Sequence, residues 1–239
     1  AITLIDSDNG KIVFAAHAER YSGIKNDSNL NKEMFEDMEN YICEYGRGGI
    51  DKVVYFENPY TKKLRQFMAG QYREVFSRKN MPQYHIDSVL GKGRYTIDEY
   101  VDHHLSHASS TYFTSPYTES AVVCIDAIGE FDTITIWYAK GNKLEKRYSQ
   151  VYPHSLGLWY SAMTQRLDLK PQEDEFILMG MAAWGRGSEE LRQEMRDYFF
   201  KEGDDMKLKR NLHRGCLDWD SDFHPDDGTS EWKFDIAHN

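Results

Sequence analysis

Apolar and polar positions alternate with a period of two at the start of the chain. AITLIDSDNGKIVFAAHAER reads as two short strands joined at Asn9-Gly10, a pair that suits tight hairpin turns. The period then lengthens: between Lys32 and Glu44, Met34, Phe35, Met38, Tyr41 and Ile42 recur at helical spacing. KVVYFE (Lys52–Glu57) predicts a compact apolar strand, and Tyr60–Ser77 a helix. Asn80–Arg94 carries proline and glycine and predicts irregular chain with a short strand. SAVVCIDAIGE predicts a buried strand running into a glycine turn, and TITIWYAKGNKLEKRYSQVY alternates about Gly141-Asn142 as a second hairpin. Helices follow over Leu156–Leu167, Glu175–Trp184 and Ser188–Lys201, and the polar, Asp- and Gly-rich chain from Gly203 onward predicts an irregular loop. Hairpins, single strands and helices in this order predict an α/β fold with a mixed sheet.

Composition narrows the function classes. The 239 residues allow one large domain or two small ones. A formal net charge of −10 disfavours non-specific nucleic-acid binding, which depends on Lys and Arg neutralising phosphates. A local basic pocket for a phosphorylated small molecule stays open. Cys43, Cys124 and Cys216 form no CxxC pair, so neither a disulfide framework nor a zinc ribbon is expected, and a reducing cytoplasm fits best. No apolar run approaches the roughly 20 residues of a membrane helix, and no basic leader precedes AITLID, so no signal peptide is expected.

Candidate chemistry concentrates in VDHHLSHASS, which holds three of the nine histidines. His103 and His107 are four apart, so on a helix they share a face with Cβ atoms about 6 Å apart. Both imidazoles can then reach one ion at about 2.1 Å, with His104 pointing elsewhere. Zinc proteases of the HExxH type need Glu directly after the first histidine, and His104 stands there instead. The alternative is that these rings only cap a strand-to-helix junction. A metal site needs a further ligand, usually anionic. Asp126 qualifies, emerging at the carboxyl end of the Ala121–Ile125 run, where open α/β sheets place their ligands. In the following AIGEFDT, Gly129 allows a tight turn with Glu130, Asp132 and Thr133 nearby, and backbone N–H groups of such a turn can cradle phosphate. Asp126 and Gly129 forming a plain turn between strands is the competing account. In PHSLG, His154, Ser155 and Gly157 are either site residues or a helix start with Ser155 as N-cap. Glu175 and Gly180 in DEFILMG are further candidates for a nucleotide site, whereas the Met and Leu between them predict core.

Several stretches together resemble one family. HHLSHASSTYFTSPYTESAVVCIDAIGE is similar to the HHxxHAxSAFxxSPF…DGxGE signature of the O-carbamoyltransferases of nodulation-factor and antibiotic biosynthesis. AERYSGIKND resembles their EERFxRxKHD, FENPYTKKLRQ their YEKPxxKFER, and YPHSLGLWYSAMTQRLDLKPQEDEFILMGMAAWG their FPHSLGLxYxxxTxxLGF…GEYKxMGLAxYG. The four occur in the family's order and span most of the chain. Ala127 stands where the family has Gly, and Asn58 where it has Lys.

The resemblance implies an actin/Hsp70-like (ribonuclease H-like) mixed sheet with flanking helices, related to the tRNA threonylcarbamoyl-transferase subunit. In such proteins a C-terminal YrdC-like domain makes carbamoyl adenylate from carbamoyl phosphate and ATP. The N-terminal domain then transfers the carbamoyl group to a hydroxyl of a small-molecule acceptor beside a divalent metal, iron first, with zinc or manganese as alternatives. By this resemblance His103, His107 and Asp126 fall on the metal ligands, and Gly129 and Thr133 on the phosphate loop. Glu130, Asp132 and His154 are the candidate bases for the acceptor proton. The family's first strand with its GHDxSA segment would precede AITLID, and FDIAHN resembles the first turn of a helix. A further metal ligand and the YrdC-like domain would lie beyond Asn239, so a domain truncated at both ends is expected. Two other readings stay open: an enzyme of the tRNA threonylcarbamoyl-transferase kind, and a non-catalytic nucleotide-binding module of the same fold.

Overall fold

The computed structural model describes residues 1–25, 27, 29–45, 49–219 and 231–239, and divides into two compact units, Ala1–Asp102 and His103–Asn239. In the first unit, β1 (Ile2–Asp6) and β2 (Lys11–Ala16) form the expected antiparallel hairpin, with Gly10 at φ 70° in its turn. A short α1 (Glu19–Ser22) leads to α2 (Lys32–Tyr45), whose Phe35 and Met38 meet Phe14 of β2 in a small core. Asn26, within the AERYSGIKND stretch, lies outside the described residues.

Three expectations change here. The strand over Lys52–Glu57 shrinks to β3 (Val54–Tyr55). The helix over Tyr60–Ser77 divides into α3 (Pro59–Met68) and α4 (Tyr72–Phe76), because Gly70 adopts φ 73° and breaks the helical path. Asn80–Arg94, expected to be irregular, holds the helix α5 (Pro82–Leu90). Pro82 is its first residue, where a missing N–H costs nothing, and Gly91 at φ 85° ends it. Asn58, the departure from the family's Lys, caps α3: its Oδ1 accepts from the N–H groups of Tyr60 and Thr61 at 3.0 and 3.3 Å. The unit closes with β4 (Glu99–Tyr100), parallel to β3.

The second unit opens with α6 (His103–Phe113), followed by an antiparallel meander of β5 (Glu119–Gly129), β6 (Asp132–Lys140) and β7 (Lys143–Val151). Ala108 and Tyr112 of α6 pack on Val122, Cys124, Trp137 and Ala139 of the sheet. β5 is buried on one face only, since Val123 and Ile125 are 56% and 57% exposed; the expected buried strand is a half-buried one. The predicted turn is present: Gly129 pairs with Asp132 across the two-residue turn Glu130-Phe131.

Next come α7 (Leu156–Arg166), α8 (Glu175–Met181) with a 3₁₀ turn Ala182–Trp184, and α9 (Glu189–Phe199). The chain after Gly203 is more ordered than expected: β9 (Asp204–Leu208) pairs with β8 (Phe200–Lys201), and α10 (Glu231–His238) follows; residues 220–230 lie outside the described residues. Leu208, Leu212, Cys216, Trp219, Trp232 and Ile236 join α7–α9 in one apolar cluster, so buried side chains spaced too irregularly for a periodic pattern order this region. The α/β class stands. The described strands form four separate sheets, each wholly parallel or wholly antiparallel, in place of one mixed sheet. Among the described residues no helix is long and apolar enough to cross a membrane.

Candidate metal centre

α6 presents His103 and His107 on one face, one turn apart, with ring centroids 4.7 Å apart and Nε2 atoms 3.0 Å apart. Asp126 enters from β5, its Oδ2 2.9 Å from His103 Nε2. Three donor atoms, one from each residue, all lie within 4.8 Å of one another. His104 points the other way, into the protein, as expected from the convergence of its neighbours.

A local irregularity aims the carboxylate. Ile125 pairs with Ile134 and Gly129 with Asp132, so residues 126–128 of β5 face only Thr133 of β6. Such a bulge bends the strand and redirects a side chain. The Ala127 N–H donates to Asp126 Oδ1 at 2.6 Å. The hydrogen bond from His103 holds the Asp126 carboxyl below its ordinary range; partial burial opposes this and the Ala127 N–H adds to it.

Two glycines and a serine pack around this point. A Cβ on Gly129 would lie 2.5 Å from His104 Cδ2 and 2.6 Å from His103 Cδ2. A Cβ on Gly157 would lie 2.6 Å from the Ala127 nitrogen. Ser155 is fully buried and caps α7, accepting from the Leu158 N–H at 3.0 Å. Its hydroxyl faces the carbonyls of Ala127 at 2.7 Å and Asp126 at 3.2 Å.

The other candidates are distributed differently. Glu130 is buried at the β5–β6 turn with φ 59°. Asp132 is held by Lys146 Nζ at 2.7 Å and by the Ser149 hydroxyl at 2.5 Å. Thr133 is fully buried, its hydroxyl against the carbonyls of Gln150 (3.1 Å) and His154 (2.5 Å). The His154 carbonyl also accepts from Gln150 Nε2 at 3.2 Å, which holds the backbone there, and residue His154 is half-buried. Glu175 accepts from Ser161 Oγ of α7 at 2.8 Å and from the Gln172 N–H at 2.5 Å, while Gly180 is exposed on α8 with open space around it. The geometry thus gathers His103, His107 and Asp126, with Gly129, Ser155 and Gly157 packed beside them. The Thr133 hydroxyl and Glu175 Oε1 are committed within the protein.

Sequence patterns did not reveal Thr135. It is fully buried, its Oγ1 2.8 Å from His104 Nδ1, and it also accepts the Trp137 indole N–H at 2.8 Å. The inward period of β6 was the available signal.

As a donor set, two imidazoles and a carboxylate suit a divalent transition metal. Ligands about 2.1 Å from one ion sit roughly 3.4 Å apart in a tetrahedral array. The 2.9 and 3.0 Å separations are close to that, and two imidazole nitrogens so near each other need a proton or a cation between them. The residues fit a metal.

Comparison with known proteins agrees with the motifs. Residues 1–223 match the family model described as Carbamoyltransferase N-terminus. An uncharacterized protein of Synechocystis sp., sll1178, is 31% identical over 201 residues, covering 74% of this chain and 32% of that protein. The nodulation protein NolNO of Sinorhizobium fredii is 25% identical over 191 residues, covering 74% of this chain and 26% of its own length. The uncharacterized protein MJ1051 of Methanocaldococcus jannaschii is 30% identical over 99 residues, which is 41% of this chain and 19% of that protein. The chain therefore spans a third or less of the length of these relatives. On the match across residues 1–223, the chain belongs to the carbamoyltransferase N-terminus family.

Proposed function

We propose that this chain carries the transfer site of an O-carbamoyltransferase of actin/Hsp70-like fold. The site moves a carbamoyl group from carbamoyl adenylate to a hydroxyl of a small-molecule acceptor. The carbamoyl adenylate would come from carbamoyl phosphate and ATP in a YrdC-like domain of the same protein. The convergence of His103, His107 and Asp126 within a carbamoyltransferase family member carries this reading.

His103, His107 and Asp126 would hold a divalent metal, iron first and zinc or manganese otherwise, which supplies Lewis acidity toward a carbonyl or acceptor oxygen. His107 is exposed, so the cluster is open to a ligand on that side, while the buried Gly129 closes its inner side. Transfer forms a bond from the acceptor oxygen to the carbamoyl carbon and breaks the bond to the AMP phosphate oxygen. AMP leaves as an anion, and the acceptor proton passes to a carboxylate or imidazole. Glu130, Asp132 and His154 are the candidate bases, and in Asp132 both oxygens are engaged, by Lys146 and Ser149.

Replacing His103 and His107 with Ala should remove bound iron, zinc or manganese, read by elemental analysis. Both variants should also lose carbamoyl transfer from supplied carbamoyl adenylate to a hydroxylated acceptor. Metal content equal to that of the unmodified protein would overturn the metal assignment. Loss of metal with transfer intact would separate the metal from the reaction.

A further inference from the structure

We infer that Gly129 and Ser155 are positioning residues of the three-donor cluster, an inference that rests on reading His103, His107 and Asp126 as metal ligands. Gly129 leaves the space in which the His103 ring sits. Ser155 ties the Asp126–Ala127 backbone to the first turn of α7.

The requirement at Gly129 is steric. Its φ is not positive and it pairs with Asp132 in the ladder, so its backbone conformation does not call for glycine. A methyl there would instead press on two imidazoles, at 2.5 Å from His104 Cδ2 and 2.6 Å from His103 Cδ2. The contacts are with ring atoms close to the backbone, which yield less than the tip of a flexible side chain. His104 is fully buried and engaged with Thr135, so it has little freedom to retreat. The displacement therefore falls on His103, whose Nε2 lies 2.9 Å from Asp126 Oδ2 and 3.0 Å from His107 Nε2. A shift of a few tenths of an ångström there spoils two of the three distances.

Ser155 acts on the other partner. Asp126 sits in a bulge, where ladder hydrogen bonds do not fix the backbone. The buried hydroxyl of Ser155 faces the Asp126 and Ala127 carbonyls and accepts the Leu158 N–H, so one oxygen joins the bulge to the start of α7. Gly157 lets that turn approach the Ala127 nitrogen. Without the hydroxyl, the bulge loses its link to α7 and the carboxylate its fixed aim.

The test measures metal binding by the full-length protein, with Zn²⁺ in chelator competition and Co²⁺ by visible absorption. Thermal unfolding of the metal-free protein is followed in parallel. Gly129→Ala and Ser155→Ala should each weaken Zn²⁺ binding by about 10- to 100-fold, as loss of groups that orient ligands does, and should alter the Co²⁺ bands. Ser188→Ala is the control. Ser188 caps α9 in the same manner, accepting from the Leu191 N–H at 3.2 Å, so its loss should lower the unfolding temperature and leave metal affinity unchanged. Should Gly129→Ala fail to fold, Ser155→Ala against Ser188→Ala decides the matter. Wild-type affinity and spectrum in Ser155→Ala, with metal lost in His103→Ala, would overturn the inference and leave the ligand assignment standing. Retention of metal in His103→Ala would bring down that assignment and the inference with it.

Discussion

The two faces of α6 carry the same residue type to opposite ends. His103 and His107 face an opening shared with Asp126, while His104, one residue on, is fully buried above Thr135 with Ala108 and Tyr112 along the same inner stripe. The inner stripe, recurring every fourth residue from His104, packs the helix on the sheet; the other stripe turns two imidazoles toward Asp126. Neighbours in sequence therefore differ in what their loss removes. On the inner face it is packing and a buried hydrogen bond, and on the outer face it is the proposed ligand set.

The strongest way to break this contrast is to exchange the losses. His104→Ala should lower unfolding free energy by about 2–4 kcal/mol, since it leaves a cavity and removes a hydrogen bond to a buried hydroxyl. His107→Ala, at an exposed site, should stay within about 0.5 kcal/mol while abolishing metal retention. Denaturant unfolding of the metal-free variants compares the two directly. Equal destabilisation would mean that the outer histidines are part of the core after all.

A finer cut reaches the group behind His104. Thr135→Val keeps the volume but removes the oxygen that meets both His104 Nδ1 and the Trp137 indole N–H. Leaving buried polar atoms without that partner should cost about 1–3 kcal/mol. The indole N–H should also exchange faster with solvent deuterium, which proton NMR of the Trp137 resonance can follow. Unchanged exchange would show that Thr135 does not hold the inner face.

How much of this was legible depended on whether the cause was local. Both hairpins could be read from turn residues: Gly141-Asn142 forms the whole turn between Lys140 and Lys143, and Asn9-Gly10 ends the four-residue connection between Asp6 and Lys11. The pairing of His103 with His107 followed from helical geometry alone, and Asp126 from its place at the end of an apolar run. What escaped the sequence was set by distant chain. Pro82 looked like an interruption and instead starts a helix, a distinction that depends on what lies downstream of it. Nothing in IDAIGE announces the bulge that aims Asp126, because register belongs to the pair of strands. Gly129 flanks the turn expected of it, and its missing side chain also leaves room for two rings brought in from α6, which the sequence does not announce.

The mildest probe uses thiols as reporters of the same inner face. Cys124 lies on β5 with its Sγ 3.8 Å from the His104 carbonyl, and Cys216 sits in the apolar cluster of α7–α10; both are buried, whereas Cys43 is exposed. Burial pushes the Cys216 thiol from 9.0 up to about 11, and burial also raises that of Cys124. Only the thiolate reacts, so one thiol per native chain, Cys43, should label at pH 8, and all three after denaturation. The same shift fixes a sign. A thiol whose folded pKa exceeds its unfolded one holds its proton longer in the native state, so its contribution to stability is complete below pH 9 and is lost as pH rises toward 11. Serine at position 216 should flatten that alkaline limb. Rapid labelling of Cys124 in the native protein would show the β5 face behind His104 opening to solvent, and the two sides of α6 would no longer be distinct environments.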